Sequence, residues 1–373
     1  MKGLLKNLIG LSLVAVTLLA LAGCSKQQAP APSSARAADE RMKVVLCIGR
    51  RNDLSFQQSA YEGLMRVGRE LAQNYVVEVR EMGDDTTIWE NGFYEAADSG
   101  AAFVVGVGYQ NKENFEVIPP QYPNTKFILF DQDVDYASAN LSNVLTVLFD
   151  SNESGFLAGA AAAYWTVSDK ALNRDKLIGF VGGINAVTIN NFLVGYAEGA
   201  HYIDPEVRIR TAYIGDFIDT ARAKDLTMAQ ISEGVDIIFQ VAGGAGNGII
   251  EAAAERQGVM AIGVDADQYQ TLAGTDLQHA IITSALKRLD NALFKILGDY
   301  VRNPASVPFG TTATYGLKED AVGIVFNENL EANLSAGDIA DIRDILGKLQ
   351  AGEIRVSQAG TLSAADINAI VNP

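Results

Sequence analysis

Two aspartates each close a hydrophobic run, Phe127-Ile128-Leu129-Phe130-Asp131 and Ala261-Ile262-Gly263-Val264-Asp265. A carboxylate at the end of a buried strand can accept hydrogen bonds from the hydroxyls or amines of a ligand, and can equally serve as a turn or helix-cap residue. Taken singly, each fits the structural role better. Gly243-Gly244-Ala245-Gly246-Asn247-Gly248 follows a strand-like run and opens a helix. Glycines there let a ligand approach the backbone, and a helix start offers free N–H groups. The spacing matches Gly-x-Gly-x-x-Gly from neither starting point and lies in the second half of the chain, so a dinucleotide reading is weak. His201 and His279 have no cysteine, histidine or carboxylate at metal-ligand spacing, and there is no Gly-x-Ser-x-Gly. No catalytic residue, metal or cofactor is therefore expected, and an enzyme is the weakest class. Trp89 and Trp165 lie in helix-like segments and read as core or interface residues.

The elements that must position these residues follow from periodicity. Lys43 to Ile48 is a short apolar run that reads as a buried strand. After it, Ser55 with Gln58 forms a capping-box pattern, and Ala60, Leu64, Val67 and Leu71 share one helical face. Phe56 would then sit at the carboxyl end of a strand, the edge where open α/β sheets bind ligands, or else at the top of the helix's core stripe. Both readings stay open on spacing alone. Runs at 75–80, 103–107, 126–130 and 144–148, then at 177–181, 207–213, 236–241 and 259–264, alternate with mostly helical segments, which is the wiring of two parallel α/β lobes. A strand at 280–284, a helix at 287–301, strands at 311–315 and 322–326 and a helix at 335–350 finish the chain. The expected division is 41–149 plus 266–308 for the N-terminal lobe and 150–265 plus 309–373 for the C-terminal lobe.

The chain opens with Lys2 and Lys6, an apolar run from Leu8 to Ala22, and Leu21-Ala22-Gly23-Cys24. This is the pattern of a secretory signal, residues 1–23, ending in a lipobox. Cys24 would become the lipidated N-terminus, and residues 24–40, rich in Ala, Pro, Ser and Gln, read as a disordered tether. Lipid carrying more than one acyl chain suffices for stable anchoring. Cys47 is the only other cysteine, so an intramolecular disulfide is not available after cleavage, and its place inside a strand reads as an inert core thiol. Removing the signal takes away two lysines and no carboxylate, so a chain with formal charge −16 becomes still more acidic. That charge argues against nucleic acid or anionic lipid as a partner. Attachment would come from the lipid on Cys24, placing the protein in the cell envelope as a bacterial membrane lipoprotein facing the periplasm or the exterior.

Taken together, several stretches resemble the Bmp/Med family of substrate-binding lipoproteins, and within it the purine nucleoside receptors of ABC importers. They include Asp53-Leu54-Ser55-Phe56 with Tyr61-Glu62-Gly63, Phe127 to Asp131, Gly155-Phe156-Leu157-Ala158-Gly159, Phe180-Val181-Gly182-Gly183 and Gly195-Tyr196-Ala197-Glu198-Gly199. Phe217-Ile218-Asp219, Ala242 to Gly246, Gly263 to Gln268 and Thr283 to Arg288 continue the series in family order. The resemblance implies a type I periplasmic-binding-protein fold, two doubly wound parallel-sheet lobes joined by a hinge with the ligand in the cleft between them. It implies that Phe56 and Phe217 sandwich a base, that Asp131 makes a polar contact in the cleft, and that Gly243, Asp265 and Lys287 lie near the ribose. The implied partners are a purine nucleoside and ABC permease subunits. One departure stands out: the acid that the family usually has just after the first strand is missing from Ile48-Gly49-Arg50-Arg51-Asn52. Asn52, Arg50 or Arg51 would have to substitute, and an arginine would favour acceptor edges. A sensor lipoprotein that signals to a protein partner through the same cleft is the alternative function.

Overall fold

The structure, a computed structural model, describes residues 40–51 and 53–373. The signal, the tether with Cys24, and Asn52 lie outside the described residues. From Arg41 onward the chain is one compact unit. Its strands are β1 (Met42–Ile48), β2 (Tyr75–Glu81), β3 (Phe103–Val107), β4 (Lys126–Phe130), β5 (Val144–Phe149), β6 (Leu177–Gly182), β7 (Arg208–Tyr213), β8 (Ile237–Val241), β9 (Met260–Asp265), β10 (Ile281–Lys287), β11 (Thr311–Tyr315) and β12 (Val322–Ile324). The helices are α1 (Phe56–Glu70), α2 (Trp89–Asp98), α3 (Lys112–Val117), α4 (Ser151–Thr166), α5 (Val187–Ile203), α6 (Thr220–Ser232), α7 (Gly246–Ala254), α8 (Gln268–Thr271), α9 (Leu289–Arg302), α10 (Glu328–Asn333), α11 (Ala336–Ala351) and α12 (Ala364–Val371).

The strands form two six-stranded sheets, in the orders β11-β5-β4-β3-β1-β2 and β12-β10-β9-β8-β6-β7. Every pairing is parallel except β10 with β12. The central strands β1, β3, β6 and β8 are hydrophobic and buried on both faces, as a parallel sheet covered by helices requires. Cys47 is among these residues, and burial pushes its thiol up to about 12, so it stays protonated and unreactive.

The sheets correct the expected division of the chain. β10, expected in the first lobe, pairs with β9 in the second sheet. β11, expected in the second, pairs with β5 in the first. The chain therefore crosses between lobes after β5, after β10, and between β11 and β12. A hydrophobic run specifies a strand; its neighbours are chosen by long-range packing that local period does not encode. For α9 the choice rests partly on Gly63 of α1, where a Cβ would come within 2.6 Å of the Asp290 Cα.

The two glycine pairs Gly155/Gly159 and Gly195/Gly199 serve packing rather than ligand binding. They interlock α4 with α5, and a Cβ on any one of them would meet the backbone carbonyl of Phe192, Tyr196, Asn152 or Phe156 on the facing helix. His201 and the tryptophans are likewise structural. A ring nitrogen of His201 bonds the Val207 carbonyl, and the indoles of Trp89 and Trp165 donate to the carbonyls of Gly83 and Asp236.

Candidate functional site

A cavity of about 320 Å³ lies between the carboxyl ends of the two sheets. This is the size range of small-molecule sites and the place where open α/β sheets bind ligands. Phe56, Asp131, Phe217, Gly243, Asp265 and Lys287 all line it. Tertiary structure thus brings together six side chains and turns spread over more than 230 positions of sequence.

Phe56 opens α1 and is half-buried, touching the core cluster while its ring borders the cavity, so the two readings of it were not exclusive. The capping box expected at Ser55 is not formed. Ser55 has no side-chain cap bond; its hydroxyl donates across the cleft to Asp265 Oδ2 at 2.6 Å. Asp53 caps the helix instead, accepting from the backbone N–H groups of Ser55, Gln57 and Gln58 at 2.9–3.1 Å. A carboxylate accepts more strongly than a hydroxyl, which frees Ser55 for the longer-range bond. Burial nevertheless pushes the Asp53 carboxyl above its usual range, with these three N–H donors opposing it.

Asp131 and Asp265 both take left-handed backbone conformations, φ 66° and 65°, a region where aspartate is among the few tolerated residues and where strain is often spent at functional sites. Between them stands Lys287, the last residue of β10, only 2 % exposed. Its Nζ lies 2.9 Å from Asp131 Oδ2 and 4.0 Å from Asp265 Oδ1. It also lies over the rings of Phe192 at 5.0 Å and Phe56 at 5.3 Å. Asp131 belongs to the first lobe and Lys287 to the second, so this ion pair spans the cleft. Burial raises the Asp265 carboxyl to about 6 against the pull of Lys287 and Ser55.

Phe217 lies in the loop before α6 and is held by the glycine turn after β8: Ala245 donates its N–H to the Phe217 carbonyl at 2.8 Å. Gly243, at φ 54°, follows that strand with no side chain to fill the space, since a Cβ there would lie 3.5 Å from the Phe217 Cβ. Across the cleft, the ring of Tyr109 meets Phe217 at a centroid distance of 6.3 Å.

The residues after the first strand separate. Arg51 pairs with Glu81 at 2.9 Å and lies over the Tyr61 ring, while Arg50 reaches the cavity and pairs with Asp84 at 2.7 Å. Sequence reasoning missed Asp53, Asp84, Tyr109, Gln110 and Asn247, all lining the cavity. All five follow a strand end by a few residues, the one local signal that could have found them, although Asp53 also reads as a cap. The side-chain oxygens of Gln110 and Asn247 are buried without a protein hydrogen-bond partner, so they are available to a ligand.

The family model for Bmp, described as ABC transporter substrate-binding protein PnrA-like, matches residues 42–359. The chain belongs to this family. The Bmp family is one of substrate-binding proteins rather than enzymes. Among relatives, an ABC transporter nucleoside-binding protein, BmpA, of Lactococcus lactis subsp. cremoris is 30% identical over 336 residues, covering 86% of this chain and 91% of that protein. A CD4+ T-cell-stimulating antigen of Listeria innocua is 28% identical, covering 94% of this chain and 98% of that protein. An ABC transporter solute-binding protein of Aeropyrum pernix shares the fold with a TM-score of 0.72 at 24% identity, covering 88% of this chain and 96% of that one.

Proposed function

We propose that this Bmp-family protein binds a purine nucleoside by closure of its two lobes and delivers it to an ABC permease. The observation that carries this reading is the pairing of aromatic rings from opposite lobes, Phe56 and Phe217, with the Asp131–Lys287–Asp265 group in one cavity. Two rings suit a planar base, since stacking contributes about 1–3 kcal/mol per base. The charged group suits a sugar, whose hydroxyls can donate to a carboxylate and accept from an ammonium. Four aspartates against one arginine and one lysine line the cavity, which opposes the phosphates of a nucleotide. Hinge closure is the usual motion of such folds, and the bonds already crossing the cleft, Ser55 to Asp265 and Lys287 to Asp131, are the ones that closure would make.

The ribose role of Asp265 gives the test. Asp265→Ala should weaken a ribonucleoside by at least about tenfold, the worth of a hydrogen bond to a charged group, and should weaken the free base much less. The acceptor must be ionised, and its carboxyl titrates near 6, so ribonucleoside affinity should fall as pH drops from 7 to 5 in the parent and stay flat in the variant. Calorimetric titration with nucleosides, 2′-deoxy analogues and bases decides it; equal loss of base and nucleoside would remove Asp265 from the ribose site.

Lipid anchoring through Cys24 is the second part of the reading, supported by the Leu21-Ala22-Gly23-Cys24 pattern. Cys24→Ala should leave the precursor unprocessed by the lipoprotein peptidase. A variant that matures and fractionates with membranes like the parent would show that anchoring lies elsewhere.

A further inference from the structure

We propose that Arg50 and Asp84 form a reader for the lactam edge of a 6-oxopurine, so that the protein selects 6-oxopurine nucleosides over 6-aminopurine ones; this rests on the nucleoside reading above. Their position is set by hydrogen bonds that tie described residues of the two loops together. Gln57 of α1 accepts from the N–H groups of Gly49 and Arg50 at 2.5 and 3.1 Å, tying the loop after β1 to the helix that begins with Phe56. The loop after β2 is tied to it in turn: Met82 and Gly83 donate to the carbonyls of Ile48 and Gly49 at 2.8 and 3.0 Å. Asp84 is thereby set beside Arg50, with the guanidinium and carboxylate 2.7 Å apart and both residues on the cavity wall.

Strand order sets this pair away from Asp131, the partner of Lys287 in the first lobe. β4, which carries Asp131, is two strands from β1 and three from β2. At about 4.8 Å per strand this is roughly 10–14 Å, comparable with the length of a nucleoside. A sugar seated at Asp265 and Lys287 would direct the six-membered ring of a stacked purine toward Arg50 and Asp84. The glycosidic bond then fixes which atoms face the pair.

A guanidinium has only donors and a carboxylate only acceptors. A 6-oxopurine presents the acceptor O6 beside the donor N1–H, which matches the two in order. A 6-aminopurine presents a donor amine beside the acceptor N1, the reverse order, and leaves both charged groups facing the wrong partner. Mismatched polar groups of this kind discriminate more strongly than a missing apolar contact.

The experiment is calorimetric titration of the purified protein with inosine, adenosine and 1-methylinosine, repeated with Arg50→Met and Asp84→Asn. The parent should bind inosine roughly 10- to 100-fold more tightly than adenosine, the worth of one well-formed two-point contact to a base edge. Arg50→Met should bring the inosine-to-adenosine ratio to within about threefold of one, and 1-methylinosine, which has lost the N1 donor, should bind the parent at least about tenfold more weakly than inosine. Asp84→Asn should reduce the same ratio while leaving the melting temperature near that of the parent, because the pair is exposed to solvent and contributes little to folding. Equal parent affinities for inosine and adenosine, or a uniform loss of both in Arg50→Met, would overturn the lactam reader and leave nucleoside binding standing. Failure of every nucleoside to bind the parent would overturn both.

Discussion

Replacing Lys287 with Met should cost the folded protein about 3–5 kcal/mol, because it strands two carboxylates beside one another in a buried site with no cation between them. The loss falls on the closed arrangement as well, since Lys287 joins Asp131 of the other lobe. Nucleoside affinity should therefore fall by more than about a hundredfold, two missing charge-assisted contacts at roughly 1.5–3 kcal/mol each. Denaturant unfolding and calorimetry measure the two effects. The double variant Lys287→Met/Asp131→Asn should recover part of the stability, since it removes one of the two facing charges, but should not recover binding. A single variant within 1 kcal/mol of the parent would mean that water or rearrangement relieves the carboxylates and that the ion pair is not what holds the inner end of the cleft.

The second large effect is expected from the two aromatics. Phe56→Ala and Phe217→Ala should each weaken every purine ligand, nucleoside or free base, by about 1–3 kcal/mol, and the double variant should depart from the sum of the two losses if both rings stack on one base, because they then share a partner. Phe56 also borders the core, so its variant should lower the melting temperature somewhat more than Phe217→Ala. Equal loss for base and nucleoside separates the stack from Asp265, whose removal should penalise the nucleoside much more than the base. Full affinity in both variants would leave Phe56 as a core residue and Phe217 as a loop anchor.

Much of this architecture was legible in the residues themselves. The alternation of apolar runs with helical faces specifies two parallel α/β lobes because a strand buried on both faces must be continuously hydrophobic, and a covering helix must be apolar on one stripe. Asp131 and Asp265 stood out for the same reason: a carboxylate at the end of such a strand is at a sheet edge wherever the strand lies. For Phe56, at the start of the helix after the first strand, spacing left that edge and the core stripe both open, and the structure shows it touching the core while bordering the cavity.

What only the tertiary structure decided depends on contacts between residues far apart in the chain. β10 and β11 have strand sequences, but their exchange between the lobes is settled by packing against β9 and β5. Ser55 stands next to the helix start with a capping signature; Asp53, two residues earlier but charged, takes the helix end, and the hydroxyl turns to Asp265 across 210 residues. Arg50 and Arg51 are adjacent and chemically identical, yet Arg50 lines the cavity beside Asp84 while Arg51 pairs with Glu81, because their loop brings them to different carboxylates at the end of β2. Asp84 carries no local mark beyond following the end of a strand. Its place beside Arg50 comes from two hydrogen bonds between the loops of neighbouring parallel strands, and a chain whose crossovers separate those loops by thirty residues cannot announce such a contact in its local pattern.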